Sequence, residues 1–360
     1  MRVYRRRKSK IHRSNSLHIN TGFSLQERDA KMKKLINNPD RVVEEMLEGL
    51  VMANNDKIRL LDGENIVIRK EAPVKGKVAL VSGGGSGHEP AHAGYVGEGM
   101  LDAACAGAVF TSPTPNRIVK AIKAVDGGSG VLLVVKNFAG DVMNFEMAAE
   151  MTRSNGTKVS KVTVNDDVSI NDVARRRGIA GTVFVHKIAG AKAELGGTLE
   201  ETQKIAEKVI ANVRSMGVAL TSCTLPKAGK PTFTLGDGEV ELGVGIHGEK
   251  GIQRSPLKSA DEFANIIVEK LIKDLSLKLQ DEVAVMINGL GGTPLMELCI
   301  IYRRVAHILQ DLGVRIFKSY IGEYMTSLEM AGCSVTFLRL DEEFKKLLLA
   351  PANVPAFCCS

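Results

Sequence analysis

Val81-Ser82-Gly83-Gly84-Gly85-Ser86-Gly87-His88-Glu89-Pro90 is a glycine-rich run that leaves a short apolar segment, Lys77–Val81. The apolar segment reads as a buried strand, and the glycines after it let backbone N–H groups approach a small, oxygen-rich ligand. A helix is expected to begin just beyond, with its N-terminus favouring polar or anionic oxygens. A Walker loop would end in Gly-Lys-Ser/Thr and a dinucleotide loop would space its glycines G-x-G-x-x-G, and this run does neither. A purely structural tight turn is the competing reading of the glycines alone. His88-Glu89-Pro90-Ala91-His92 also matches the zinc-protease string H-E-x-x-H. That string needs an established helix with both histidines on one face, and the preceding glycines and Pro90 argue against one.

Outward from this run the pattern alternates strand and helix. Gly130–Val135, Val159–Val164 and Gly181–Val185 read as further strands, each followed by a loop. Thr114 and Pro115 open a helix, Pro115 at the first position, where its missing N–H costs nothing. Thr198-Leu199-Glu200-Glu201 is a capping box that starts a helix running to about Met216. The expected domain boundary lies there: 32–216 form an N-terminal α/β domain and 217–360 a C-terminal one. The second domain has strands at Val218–Leu225, Glu239–Ile246, Glu282–Ile287 and Val335–Leu340. It also has a helix after the capping box Ser259-Ala260-Asp261-Glu262 and another over Pro294–Leu312. The fold class predicted is α/β, with two α/β domains and mixed or parallel sheets.

Composition agrees with that class and excludes others. The chain has 360 residues, 44% of them hydrophobic, with 36 glycines and no Trp, enough to bury two cores and to furnish many short loops. Its net charge of +7 resides in residues 1–31, where nine Lys/Arg face only Glu27 and Asp29, while 39 basic and 39 acidic residues cancel elsewhere. A body without net charge gives no basis for nucleic-acid binding. The basic segment lacks the apolar centre of a secretory signal and is set aside as a disordered extension or a mis-set start, with Met32 the alternative first residue. No apolar run approaches the roughly 18 residues a membrane helix needs. Six cysteines without metal spacing, four of them in apolar surroundings, are those of a reduced, cytoplasmic protein, and Cys358-Cys359 is expected in an exposed tail.

Two further constellations carry chemistry. Val135-Lys136-Asn137-Phe138-Ala139-Gly140-Asp141 places a Lys and an Asp at the carboxyl edge of a predicted strand, where ligands of open α/β sheets bind. Lys136 can hold a ligand oxygen and Asp141 can act as a base; a solvated loop with an N-cap remains the alternative. Gly243-Val244-Gly245-Ile246-His247-Gly248-Glu249 ends a strand in a histidine flanked by glycines. A neutral, accessible imidazole serves as nucleophile or general base near pH 7, although a lone His is more often structural. Asn288–Pro294 is a further glycine-rich turn to which no chemistry is assigned.

In this order the strings Met32–Pro39, Ser82–Pro90, Phe110–Pro115, Lys136–Asp141 with Asn144-Phe145-Glu146, Gly243–Glu249 and Asn288–Pro294 closely resemble the dihydroxyacetone kinase family, specifically its substrate-binding K subunits. The resemblance covers nearly all of 32–360. It implies that the ketone carbon of dihydroxyacetone adds to a ring nitrogen of His247 as a hemiaminal. It further implies that Gly85, Ser86, Gly87, His88, Lys136 and Asp141 bind the substrate, with His88 and Asp141 sharing the general-base role. Single-chain, ATP-dependent members carry a further helical nucleotide domain, for which a chain ending at Ser360 has no room. The resemblance is therefore to the phosphotransferase-system type. In that type the K subunit is a homodimer without a cofactor of its own, and a separate L subunit holds the nucleotide with Mg²⁺ and is recharged by an M subunit. The other function carried forward is a non-catalytic dihydroxyacetone sensor or co-activator, which would need His247 but not the set His88, Lys136 and Asp141.

Overall fold

The computed structural model describes residues 33–249 and 251–359; the basic segment and Met32 lie outside the described residues. Strands β1 (Ile58–Leu60), β2 (Ile66–Arg69), β3 (Ala79–Ser86), β4 (Ala103–Val109), β5 (Val131–Lys136) and β6 (Val159–Val164) form one sheet. Its order is β1-β2-β4-β3-β5-β6, parallel from β4 through β6 and antiparallel at β1 and β2. Strands β7 (Val213–Ala219), β8 (Glu239–Leu242), β9 (Gln253–Pro256), β10 (Glu282–Gly289), β11 (Arg315–Gly322) and β12 (Gly332–Arg339) form a second mixed sheet, ordered β11-β10-β12-β7-β8-β9. Only β10 and β11 run parallel in it. A final hairpin pairs β13 (Ala352–Val354) with β14 (Phe357–Cys359), so the backbone expected as a tail is hydrogen-bonded.

Eight α-helices occur among the described residues: α1 (Val42–Ala53), α2 (Pro115–Val125), α3 (Ala139–Arg153), α4 (Thr182–Glu194), α5 (Leu199–Asn212), α6 (Ala260–Leu275), α7 (Leu295–Asp311) and α8 (Glu342–Leu349). The capping boxes at Thr198 and Ser259 are both formed. Thr114 precedes α2 in extended conformation with Pro115 inside, but its hydroxyl makes no cap bond. No helix among the described residues is long and apolar enough to cross a membrane.

Four expectations are corrected. Gly181–Val185 is not a strand but the start of α4, whose residues are buried on nearly every side. A segment apolar all round carries no periodicity, and a short β-branched run then imitates a buried strand. Residues 213–216, expected to end a helix, open β7, which stops at Ala219, well short of Leu225. Strand β8 ends at Leu242 because Gly243 adopts φ +66 and turns the chain, so His247 lies in the turn beyond the strand. Finally, no α-helix follows the glycine-rich run: Gly83–Ser86 continue β3, and a turn with the short 3₁₀ segment Ala93–Tyr95 comes next. Flanked by β4 and β5 and buried on both faces, β3 has no room for larger residues there.

One hydrophobic core joins the two sheets. Phe184 and Ile188 of α4 belong to the same cluster as Val134 of β5 and Met286 of β10, and the Phe184 ring meets Tyr320 of β11 at 5.6 Å. With α4 between them, the carboxyl ends of β3 and β5 face loops of the second sheet.

Candidate active site

The site lies outside the carboxyl end of β3, where the chain crosses to β4 on one side and to β5 on the other. That is a topological switch point, the usual ligand crevice of such sheets. Loops of the second sheet close it. Thr326 N donates to His88 O (3.2 Å), Thr326 Oγ1 to Glu89 O (2.9 Å) and Leu328 N to Gly87 O (2.8 Å).

His88 is fully buried. Its Nδ1 lies 2.9 Å from the Thr326 carbonyl, which can only accept, so Nδ1 carries the proton and Nε2 is left as a lone pair. Nε2 has no hydrogen-bond partner in the protein. Burial, then the charge of Lys136, then His247, hold this imidazole well below its usual 6.5, in the neutral form.

The His247 ring is boxed by Phe138 (centroids 4.3 Å apart), His88 (4.7 Å) and Phe110 (5.5 Å), each nearly perpendicular to it. Phe110 also stacks on His88 at 5.1 Å. Burial first, then Lys136 and Arg177, lower His247 to about 3. A neutral imidazole at physiological pH is the nucleophilic form.

Lys136 ends β5, fully buried, with no hydrogen-bond partner for its Nζ. Burial lowers its pKa against the pull of Asp141 and Glu249. Asp141 sits in the first turn of α3, and burial raises its carboxyl pKa against the attraction of Lys136. The two converge over Gly84: a Cβ placed there would stand 3.2 Å from Lys136 Nζ and 3.4 Å from Asp141 Oδ2. Phe138, its ring 5.7 Å from Lys136 Nζ, links this pair to His247.

Gly85, Ser86 and Gly87 form the floor. The Ser86 hydroxyl donates to Gly107 O at 2.8 Å and so faces the scaffold. A Cβ on Gly85 would lie 2.5 Å from Thr111 N and 2.6 Å from the Phe110 backbone. Gly85→Ala is therefore expected to lower stability by ~1–3 kcal/mol, as overpacking does, and to displace Phe110 from the His88 face. A denaturant midpoint and the imidazole NMR shifts of His88 and His247 test both.

The two histidines of the H-E-x-x-H string go separate ways. His88 bonds Thr326, whereas His92 Nδ1 lies 3.0 Å from His186 Nε2 of α4, and no α-helix carries the string. Among the described residues no group of three or more His, Cys, Asp or Glu could hold a metal ion.

His88, Lys136, Asp141 and His247 lie around this one crevice with Gly85, Ser86 and Gly87, whereas His92 lies against His186 of α4. Four contributors were not assigned roles there: Phe138, which its place two residues after Lys136 signals, Phe110, which lies within one of the matching strings, and Thr326 and Arg177, which nothing local signals.

Residues 48–356 match the Dak1 domain. The chain belongs to the Dak1 family. This Dak1 chain is 50% identical over 330 residues to the PTS-dependent dihydroxyacetone kinase 1, dihydroxyacetone-binding subunit DhaK, of Listeria innocua, covering 91% of this chain and 100% of that one. The crystal structure of the dihydroxyacetone kinase of C. freundii is similar with a TM-score of 0.84 at 39% identity, covering 91% of this Dak1 chain and 60% of that one. The dihydroxyacetone kinase operon co-activator Dha-DhaQ is similar with a TM-score of 0.83 at 35% identity, over 88% and 98%.

Proposed function

We propose that this chain is the dihydroxyacetone-binding subunit of a cytoplasmic, phosphotransferase-system-dependent (phosphoenolpyruvate-dependent) dihydroxyacetone kinase. The observation that carries this reading is the convergence of His88, Lys136, Asp141 and His247 in one buried crevice. The 50% identity to a whole subunit of that kind supports it.

In this reading a ring nitrogen of His247 attacks the ketone carbon of dihydroxyacetone. The C=O π pair moves to oxygen, which takes up the proton released by the imidazole, and a neutral hemiaminal results. Nothing leaves, so capture is reversible. Glycerol, with no carbonyl, is refused by chemistry rather than by size. Lys136 holds a substrate oxygen. The terminal hydroxyl then attacks phosphorus, the bond to the L subunit's nucleotide breaks so that the nucleotide leaves as its diphosphate, and the one proton of the hydroxyl passes into the acceptor pair of Asp141, whose pKa burial raises, and the free Nε2 of His88.

The phosphoryl group comes from a separate L subunit that carries nucleotide with Mg²⁺ and is recharged by an M subunit; this chain holds no cofactor of its own. Positioning and charge stabilisation dominate such transfers. A homodimer is supported by exposed apolar side chains at the start of α7, Leu295, Met296 and Ile300, the last of which lines one groove with exposed Leu257. Free Cys105, Cys223, Cys299 and Cys333 suit a reducing compartment.

The test is the intact mass of the protein after incubation with dihydroxyacetone and rapid desalting, with glycerol as control, followed by turnover with added L subunit and a phosphoryl source. An adduct with turnover is the expected result. An adduct without turnover would overturn the kinase reading. Absence of an adduct overturns covalent capture.

A further inference from the structure

Arg177 lies between β6 and α4, 70 positions before His247, yet its guanidinium binds both ends of the turn that carries that histidine. Its Nη2 donates to Gly243 O at 2.6 Å, at the start of the turn. Its Nη1 donates to Glu249 Oε1 at 3.3 Å, at the end. The other Glu249 oxygen accepts the backbone N–H of His247 at 2.8 Å.

The fork is itself anchored. Nε donates to Asp167 Oδ2 at 2.8 Å and Nη2 to Ser169 Oγ at 3.1 Å, while Asp167 Oδ1 receives Ser169 N and Asp167 N donates to Arg177 O. Asp167 is fully buried. Gly245, midway along the turn, passes directly over the ion pair: a Cβ there would stand 1.7 Å from Glu249 Oε1 and 2.7 Å from Arg177 Nη1. The turn is thus wrapped around a guanidinium supplied by the other half of the chain.

We propose that Arg177 is the positioning residue of the capture step: it holds the 243–249 turn in the one shape that presents the His247 imidazole to the box of His88, Phe110 and Phe138. The planar fork is what the role requires, since a lysine cannot reach Gly243 O, Ser169 Oγ and two carboxylates together. Its fixed positive charge beside His247 also disfavours protonation of the ring. The inference rests on the capture reading given above.

In Arg177→Ala the dihydroxyacetone concentration for half-maximal adduct is expected to rise about 10–100-fold, the scale that a misplacement near 1 Å costs. KM rises with it, and kcat at saturating dihydroxyacetone is retained, because His88, Lys136 and Asp141 have not moved. Millimolar methylguanidinium restores capture in Arg177→Ala, and Arg177→Lys is intermediate. An unchanged half-saturation, or a lower kcat at unchanged KM, would overturn the proposal.

If Arg177→Ala does not fold, Glu249→Gln decides. It keeps an acceptor for His247 N–H but loses the ion pair, and its half-saturation must also rise; no rise sinks the clamp. Wild-type protein that forms no adduct refutes the capture reading rather than the clamp. Hydrogen exchange then judges the clamp, which requires faster exchange over 243–249 in Arg177→Ala with β5 still protected. Unaltered exchange there refutes it.

Discussion

Asp141→Asn is expected to leave dihydroxyacetone captured on the protein and to slow its phosphorylation about 10²–10⁴-fold, the range a well-placed general base contributes. The amide keeps the shape and an acceptor oxygen in the first turn of α3 but cannot take a proton. Asp141 and His247 sit on different elements in different surroundings, the former near Lys136 over Gly84, the latter in the aromatic box. Their effects should therefore separate: His247→Ala abolishes the mass adduct, whereas Asp141→Asn slows turnover and leaves the adduct in place. His88 retains a free Nε2 as a second proton acceptor, so the residual rate of Asp141→Asn should fall further in the double variant with His88→Gln. Stopped assays with added L subunit read the rates and intact mass reads the adduct. A variant Asp141→Asn of wild-type rate would remove Asp141 from the chemistry.

Stability should fall on mild acidification. Burial holds His186 and His247 near a pKa of about 3, and His88 and His92 well below 6.5. In the unfolded chain each titrates near 6.5, so there the unfolded state binds the proton first. Their contribution is complete above pH 6.5 and is lost as pH drops from 6.5 towards 3. At pH 5 each of His186 and His247 costs about 2 kcal/mol at 1.36 kcal/mol per pH unit, and His88 and His92 act in the same direction. Against a total of about 5–15 kcal/mol for a typical domain, that is a large share. Asp141, Asp166 and Glu89, whose pKa values burial raises, work the opposite way and offset part of this loss as pH falls through their raised values. Urea midpoints at pH 7.5 and pH 5 test the sign; an equal or higher midpoint at pH 5 would refute the assignment of neutral buried histidines.

Much of this molecule is written locally. The strands that lead into the site, the capping boxes at Thr198 and Ser259, the Pro115 helix start, and the polar residues Lys136, Asp141 and His247 at the ends of apolar runs could be read directly. Each depends on contacts within a few residues or on a period that a buried face imposes. Where a segment is buried on every side that period vanishes. Hence α4 read as a strand, and the glycines of β3 read as a loop leading to a helix when they are strand residues pressed between β4 and β5.

From the sequence alone followed the α/β class, the confinement of the net charge to residues 1–31 and the polar residue types that end the apolar runs. The tertiary structure alone decided which proton-bearing nitrogen of His88 faces Thr326, which aromatic rings enclose His247, and that Arg177 grips its turn. Those contacts join residues 66 to 238 positions apart. No local propensity encodes them: they exist only once α4 has brought the two sheets together and excluded the water that would otherwise satisfy the same groups.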